Sequence, residues 1–306
     1  MLSIAEKEQL KEKLYREWLE AKTLIEDELE KTLNNLDPSG LPDVAKYISR
    51  GGKRFRGFLT ILTAKALGGS EKDAIEAAVA IELVQAASLA IDDIVDKDTI
   101  RRNSKAAWLV HGIGKTVLSS LLLIPIAQRM VEKLGVSALY HVIRAWESTV
   151  RGEIIDVFLA ESLPSSKYLE LAKLKTGSLF KLATILGALA AGIKDKPVLE
   201  KIGRYGELLG IIYQLADDIA DYTKYISGEK EKLDPSEKLF IKWAGEEQKD
   251  TTRNTLRTLN EYLKEITENV DELPFKNSEL YVLFKFIPYF LVSKMLEEAD
   301  LSLASS

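Results

Sequence analysis

Along most of the chain, apolar positions recur at a helical period, with no convincing run of strand-like alternation. Residues 73–97 are rich in Ala, Ile, Leu and Glu and contain neither Gly nor Pro, a run of helix formers too long for an ordinary strand. Residues 198–225 read similarly, although three glycines interrupt them. Residues 137–161 and 166–193 predict two further helices, and 3–35, 55–67, 116–134, 249–270 and 277–298 complete the set. Prolines at 38, 42, 125, 164, 197, 235, 274 and 288 mostly divide these segments. The stretches 36–43 (LDPSGLPD) and 225–238 (YISGEKEKLDPSEK) read as loops. With no low-complexity linker, the pattern predicts one all-α domain over residues 1–306, a helical bundle.

Composition narrows the function classes. The 306 residues are 46% hydrophobic and 29% charged, with a net charge of -5, an ordinary soluble profile. The acidic balance, without a basic stripe, argues against nucleic acid as a partner. There is no cysteine, so disulfides, thiolate metal sites and a Cys nucleophile are excluded, and a reducing cytoplasm is the expected location. The first residues, MLSIAEKEQLKEKLYREWLEAK, are too charged for a signal peptide, and the longest apolar run, 116–127, is too short to span a bilayer. No integral membrane segment is expected.

Against this background the placement of aspartates stands out. An apolar helix ends in Asp92, Asp93 and Asp96 and is followed by Arg101 and Arg102; later, YQLADDIADYTK carries Asp217, Asp218 and Asp221. Asp92 and Asp96 are an i, i+4 pair on one helix face, as are Asp217 and Asp221, while Asp93 and Asp218 sit about 100° round. A lone DDxxD is more often a solvated helix face than a site. Two copies, each at the end of a long apolar helix, change that balance: if the helices run side by side, the carboxylates face each other across a gap that only cations make tolerable. Oxygen donors without His or Cys favour Mg²⁺ over Zn²⁺, and Mg²⁺ keeps positions open for substrate phosphate oxygens. The box GGKRFRG supplies Lys53, Arg54 and Arg56, which with Arg101 and Arg102 offer a second anion site that needs no metal. One substrate gripped by metal and one by basic side chains fit a joining reaction.

The order of these boxes resembles the trans-isoprenyl diphosphate synthases, the polyprenyl synthetase family, from about residue 5 to 300. GGKRFRG, ELVQAASLAIDDIVD with its following RR, GEIID (152–156, with Glu153 where the family has Gln), KTGSLF (175–180) and YQLADDIAD each match a family segment. In detail the chain resembles archaeal long-chain members of hexaprenyl type. The resemblance implies a bundle of the isoprenoid-synthase type around a deep central cavity, a homodimer, and three Mg²⁺ ions per site when diphosphate is bound. It implies that Asp92, Asp96 and Asp217 ligate Mg²⁺, with Asp93, Asp218 and Asp221 as further ligands or orienters of water. Arg101, Lys175 and Gln214 would hold the allylic diphosphate. Lys53, Arg56, Arg102 and Gln85 would hold isopentenyl diphosphate. Thr176 and Gln214 would offer oxygens to the developing cation, helped by a kink at the Thr-Gly pair. Gln85 capping a polar patch and Thr176 bonding its own helix remain open as alternatives.

The implied reaction is ionisation of the allylic diphosphate, condensation with isopentenyl diphosphate and loss of a proton. The released diphosphate can take that proton, in line with the absence of both histidines, His111 and His141, from the boxes. Of the 224–238 loop lysines, Lys230 and Lys238 are expected near the diphosphate. LVHGIGKT has Leu109 where a P-loop needs Gly, so no nucleotide site is read there. Ser119 and Ser120, where relatives carry Gly-Asp, are read as helix packing. A class I terpene cyclase is the weaker alternative, since cyclases carry a different second metal motif and need no isopentenyl site. A non-catalytic subunit is weaker still, since both aspartate motifs are present. Short-chain relatives carry aromatic residues at one or both positions corresponding to Ala87 and Ser88; here both are small, so a tail could pass toward Val84, Ile81 and Ala80. Close helix packing is the other reading of these positions. The expectation is a C25–C35 product, hexaprenyl diphosphate foremost, with geranylgeranyl (C20) diphosphate as the alternative.

Overall fold

A computed structural model of the chain describes residues 3–245, 247–297 and 301. In order, the helices are α1 (Ile4–Asn34), α2 (Pro42–Ser49), α3 (Phe55–Ala66), α4 (Glu71–Val95), α5 (Ala107–His111), α6 (Ile113–Val131), α7 (Val136–Phe158), α8 (Tyr168–Ala172), α9 (Ser178–Ala190), α10 (Lys196–Ser227), α11 (Pro235–Ala244), α12 (Gln248–Asp271) and α13 (Ser278–Glu297). Between α4 and α5 lies a small antiparallel ribbon, β1 (Ile100–Arg101) against β2 (Ser104–Lys105). The fold is all-α apart from this ribbon. Residue 298, expected to end the last helix, lies outside the described residues.

The predicted helices are present, with three informative departures. First, the single helix expected over 166–193 is α8 and α9 joined by a π-turn, Lys173–Gly177, at the Lys-Thr-Gly sequence. Second, α2 and α11 begin at the ends of the stretches read as loops and continue into residues for which no element was predicted. The start of α11 was encoded in DPSE: Asp234 caps the helix, Pro235 occupies its first turn, and Glu237 returns a bond to the cap backbone at 2.8 Å. Third, the β1–β2 ribbon and the short helix α5 lie in residues 98–115, for which no element was predicted.

α9 is the centre of the bundle. It is buried on nearly all sides and packs on α3, α4, α7 and α10. A helix hydrophobic all round can be stable only when neighbours cover every face. α4 and α10, the helices that carry the aspartates, both pack on α9. α4 is the one described helix long and apolar enough to cross a membrane, and 72% of that stretch is buried against other helices. It therefore reads as a core helix.

The contact between α9 and α10 is close because Gly206 has no side chain. A Cβ there would lie 2.4 Å from the Phe180 carbonyl oxygen and 2.6 Å from Thr184 Oγ1. We expect Gly206→Ala to destabilise the protein by about 1–3 kcal/mol, as overpacked cores do. That outweighs the ~1 kcal/mol that alanine gains over glycine in a helix. Urea unfolding measures this as a lower midpoint with unchanged slope; an unchanged midpoint would mean the helices are not in this contact.

Candidate active site

At the end of α4 the three aspartates part company. Asp92 is half-buried, Asp96 is the exposed C-cap, and Asp93 is buried and turned aside to accept a bond from Arg101 Nε at 2.7 Å. Arg101 also reaches Asp98 at 3.1 Å. Asp92 and Asp96 instead share their surroundings with Glu153 and Asp156 of α7 and with Lys175 of the π-turn. Lys175 is bound to Asp156 and lies 3.1 Å from Glu153. Burial, then the Glu153 charge, pushes Asp92 up to about 8 even though Lys175 pulls it down. Burial also raises Asp96 and Glu153. Burial works against the charge on Lys175, but Asp156 and Glu153 overcome it and hold the ammonium protonated well above the lysine range. One cation thus stands among four carboxylates.

The second cluster divides in the same way. Asp217 is open to solvent, Asp221 is half-buried, and Asp218 is buried between the Tyr168 hydroxyl and Gln214 Nε2, which donates at 2.9 Å. Gln214 in turn accepts from Thr176 Oγ1 at 2.6 Å. Burial pushes Asp218 up to about 8. Asp217, although open on one side, is flanked by enough protein that this, followed by the Asp221 charge, lifts it to about 6. Burial would raise Asp221 too, but Lys230 at 2.9 Å and Lys224 at 3.3 Å keep it low. Lys230 also binds Glu237 of α11. Lys238, expected near the diphosphate, lies on α11 and bonds Glu161 at 2.7 Å. The helix that replaces the expected loop carries it away.

The π-turn joins the two clusters, with Lys175 serving the first and Thr176 the second. α7 and α10 grip this turn through glycines. A Cβ on Gly152 would lie 2.8 Å from the Lys175 nitrogen, and one on Gly210 would lie 2.6 Å from the Gly177 Cα. Among the described residues, no three His, Asp or Glu side chains converge to form a ready-made ion cage. The Asp92–Asp96 and Asp217–Asp221 pairs are separate half-sites of oxygen donors.

The basic loop has its own frame. Gly51 and Gly52 take φ of 65° and 99°, which glycine alone adopts freely, and Arg102 Nη1 donates to the carbonyls of Arg50 and Gly51. Arg54 is buried. It binds Glu26 at 2.8 Å and the Ser49 carbonyl at 2.6 Å, and lies 3.6 Å from Glu82. Glu82 accepts the Gly57 N–H at 2.8 Å. Lys53 is exposed, while Arg56 stacks 4.7 Å from the centre of the Phe180 ring. Arg56 Nε, Gln85 Oε1 and Glu153 Oε1 are buried with no hydrogen-bond partner, the kind of polar atom that calls for one. Val84, Ala87 and Ser88 are all buried on α4, on the N-terminal side of Asp92. Ser119 and Ser120 are buried within α6.

Several residues of this arrangement were not picked out as site residues from sequence. Asp156 and Glu153 were visible in GEIID, where i, i+3 spacing places both on one helix face. Arg54 was quoted with its box but not given its framing role. Tyr168 and Glu82 carried no sequence signal, because only packing brings them to Asp218 and Gly57.

The profile of the family described as polyprenyl synthetase matches residues 39–271. The hexaprenyl pyrophosphate synthase of Saccharolobus solfataricus is 38% identical over 287 residues, covering 93% of this chain and 97% of that protein. The geranylgeranyl pyrophosphate synthase of Geoglobus acetivorans is 33% identical over 65% of each chain. The crystal structure of a polyprenyl synthetase from Streptomyces coelicolor superposes with a TM-score of 0.77 at 22% identity, covering 90% of this chain and 99% of that one. The all-α bundle with paired aspartate helices therefore belongs to the polyprenyl synthetase family. Within that class the chain is an enzyme of prenyl transfer, a prenyl diphosphate synthase.

The lifted carboxylates have a consequence for stability. Between about pH 4 and 8 the folded chain holds protons on Asp92 and Asp218 that the unfolded chain, with ordinary carboxylates, has released. Stability from these groups is therefore present at low pH and lost as pH rises toward 8. We expect the melting temperature of the metal-free protein to fall across pH 5.5–8, and Asp218→Asn, which is neutral at every pH, to flatten the fall. A calorimetric pH series with equal slopes in both proteins would refute this.

Proposed function

We propose that the chain condenses isopentenyl diphosphate with an allylic diphosphate, with Mg²⁺, to give a trans-polyprenyl diphosphate of C25–C35, hexaprenyl diphosphate foremost. The observation that carries this reading is the π-turn: Lys175 and Thr176 stand between two aspartate half-sites, while a separate basic loop holds Lys53, Arg56 and Arg102. The product assignment is supported by the 38% identity to a hexaprenyl pyrophosphate synthase and by the small buried residues Ala87 and Ser88.

The donor set fits Mg²⁺. It consists of oxygens only, and burial together with neighbouring carboxylates lifts Asp92 and Asp217, a surplus of negative charge that a divalent cation would offset. Asp92, Asp96, Asp217 and Asp221 would hold the ions, three when diphosphate is bound. Asp93 and Asp218 act one step back, fixing Arg101 and the Gln214–Thr176 pair. When bound, Mg²⁺ supplies the charge that stabilises a departing diphosphate. Lys175, Arg101 and Lys230 add donors to the allylic diphosphate. Arg56, Lys53, Arg102 and Gln85 bind isopentenyl diphosphate, whose oxygens and water satisfy the orphaned Arg56 Nε and Gln85 Oε1. Thr176 and Gln214 direct oxygens at the allylic cation. The double bond of isopentenyl diphosphate attacks that cation, and the released diphosphate accepts the proton. Neither histidine is placed to act as base: His111 packs edge-to-face with Tyr47, and His141 lines a cavity on the other side of the π-turn. A second copy of the chain would cover the exposed apolar stripe Val136, Ile143, Val150 and Ile154 of α7, with Leu118 and Leu121 of α6.

The test is incubation of the purified chain with labelled isopentenyl diphosphate, an allylic diphosphate and Mg²⁺, with products sized by mass spectrometry. A C20 product would move the assignment to geranylgeranyl diphosphate; no Mg²⁺-dependent incorporation would refute the activity. Asp92→Ala or Asp217→Ala should lower turnover by about two to three orders of magnitude or more, as loss of transition-state charge stabilisation does, with an unchanged circular dichroism spectrum. Near-normal turnover in either variant at saturating Mg²⁺ would remove the assigned site.

Residue 87 lies about 7.5 Å along the helix axis from Asp92. Ala87→Phe should therefore shorten the product by about two isoprene units without abolishing condensation. An unchanged product distribution from the folded, active variant would mean that the tail does not run along this face of α4.

A further inference from the structure

The π-turn has a second side. Lys175 and Thr176 face the aspartates, but Lys173, Leu174 and Ser178, from the same short stretch, line a separate cavity of about 290 Å³ between α7, α9 and α10. That volume is at the lower end of the ~300–1,000 Å³ usual for small-molecule sites. Its lining holds Arg144, Lys173 and Lys181 against a single carboxylate, Glu207, with His141 beside them; Arg144 also pairs with Glu147, outside the lining, at 2.6 Å. Glu207 is buried and already serves three cations: Arg204 at 2.7 Å, Lys173 at 3.2 Å and Lys181 at 3.3 Å. In a chain of net charge -5, this is a local excess of positive charge within a concave wall.

We propose that this cavity is a second diphosphate-binding site. Lys173 and Lys181 on one wall and Arg144 on the other suit an anion with oxygens at both ends, such as a diphosphate group, and charge-assisted bonds to such oxygens are the strong ones. Leu182 and Ile185 beside them leave room for the first carbons of a diphosphate ester. The site is coupled to the aspartate side through backbone. Ser178 Oγ bonds the Leu174 carbonyl at 2.7 Å, and a Cβ on Gly177 would lie 3.3 Å from the Glu207 carbonyl. An anion that draws Lys173 and Lys181 off Glu207 therefore acts on the turn that positions Lys175. Its effect on turnover rests on the reading given under Proposed function; binding itself does not.

The chain's two histidines make a direct test possible, since one of them, His141, lines the cavity. Inorganic diphosphate is titrated without metal into Lys53→Ala/Arg56→Ala protein, whose basic loop is disabled, while the histidine ring resonances are followed by NMR and the heat by calorimetry. The expected result is saturable binding that shifts the His141 resonances. Adding Lys181→Glu should weaken it about tenfold or more, as loss of a close charge partner does, while Lys181→Arg, checked like Lys181→Glu by circular dichroism, retains it. An unmoved His141, or equal affinity in the folded Lys181→Glu protein, overturns the proposal. A parallel titration with geranyl diphosphate separates the sources. Tighter binding than inorganic diphosphate assigns the cavity to an organic diphosphate, equal binding to the free anion, and Lys181 dependence supports the site in both. Lack of elongation activity in the unsubstituted chain, with His141 binding intact, would defeat the functional reading and leave this one standing.

Discussion

The close approach of two helices to the Lys173–Gly177 turn governs the rest of the site. A π-turn inserts a residue into a helix and is an unfavourable local choice that survives where surrounding structure holds it. Here α7 and α10 hold it from both sides at distances that only Gly152 and Gly210 allow. α9, continuing from the turn, is buried against four neighbours, and that burial offsets the local cost. Because the turn is pinned, consecutive side chains diverge: Lys175 goes to the α4 and α7 carboxylates, Thr176 to Gln214 and Asp218, and Lys173 to the far cavity.

Charge is distributed unevenly around this pivot. Asp92, Asp96, Glu153 and Asp156 gather near one lysine, and Asp217 and Asp221 meet Lys230 and Lys224. Removing carboxylates from water is costly, and the upward shifts of Asp92, Asp217 and Asp218 record first that burial and then the neighbouring carboxylates. The hydrogen-bonded relay from Tyr168 through Asp218 and Gln214 to Thr176 keeps one aspartate occupied, leaving Asp217 and Asp221 less buried.

The basic loop follows a different logic, in which rigidity comes from one buried guanidinium. Arg54 sits in the left-handed region at φ 50°, a conformation costing about 1–2 kcal/mol, and its bonds to Glu26 and Ser49 compensate. Glu82 then fixes the start of α3, which sets Arg56 over Phe180. Arg102 closes the loop from β1–β2 by binding two of its carbonyls. Of the three cationic residues in GGKRFRG, Arg54 is thus structural, and Lys53 and Arg56 are not used in framing the loop.

Helical period, the paired DDxxD boxes and their basic complements were legible in the sequence, because each is a local pattern of side-chain type against a period of 3.6. The same pattern separated Asp92 from Asp93 by angle, but the partners of each came only from tertiary structure. Arg101 reaches Asp93 across a turn, and Tyr168 reaches Asp218 from a helix fifty residues away in the chain. The kink at Thr176–Gly177 was foreseeable from its Thr-Gly pair, whereas its π form depended on what packs against it. Lys230 and Lys238 looked equivalent in the sequence, and the capped helix at Asp234 sent one to Asp221 and the other to Glu161. Sequence determines which groups can form the two half-sites, since chemistry and spacing are local. Which of them share a cavity, and which are consumed in holding others, is decided by backbone approach between distant helices, which no local period encodes.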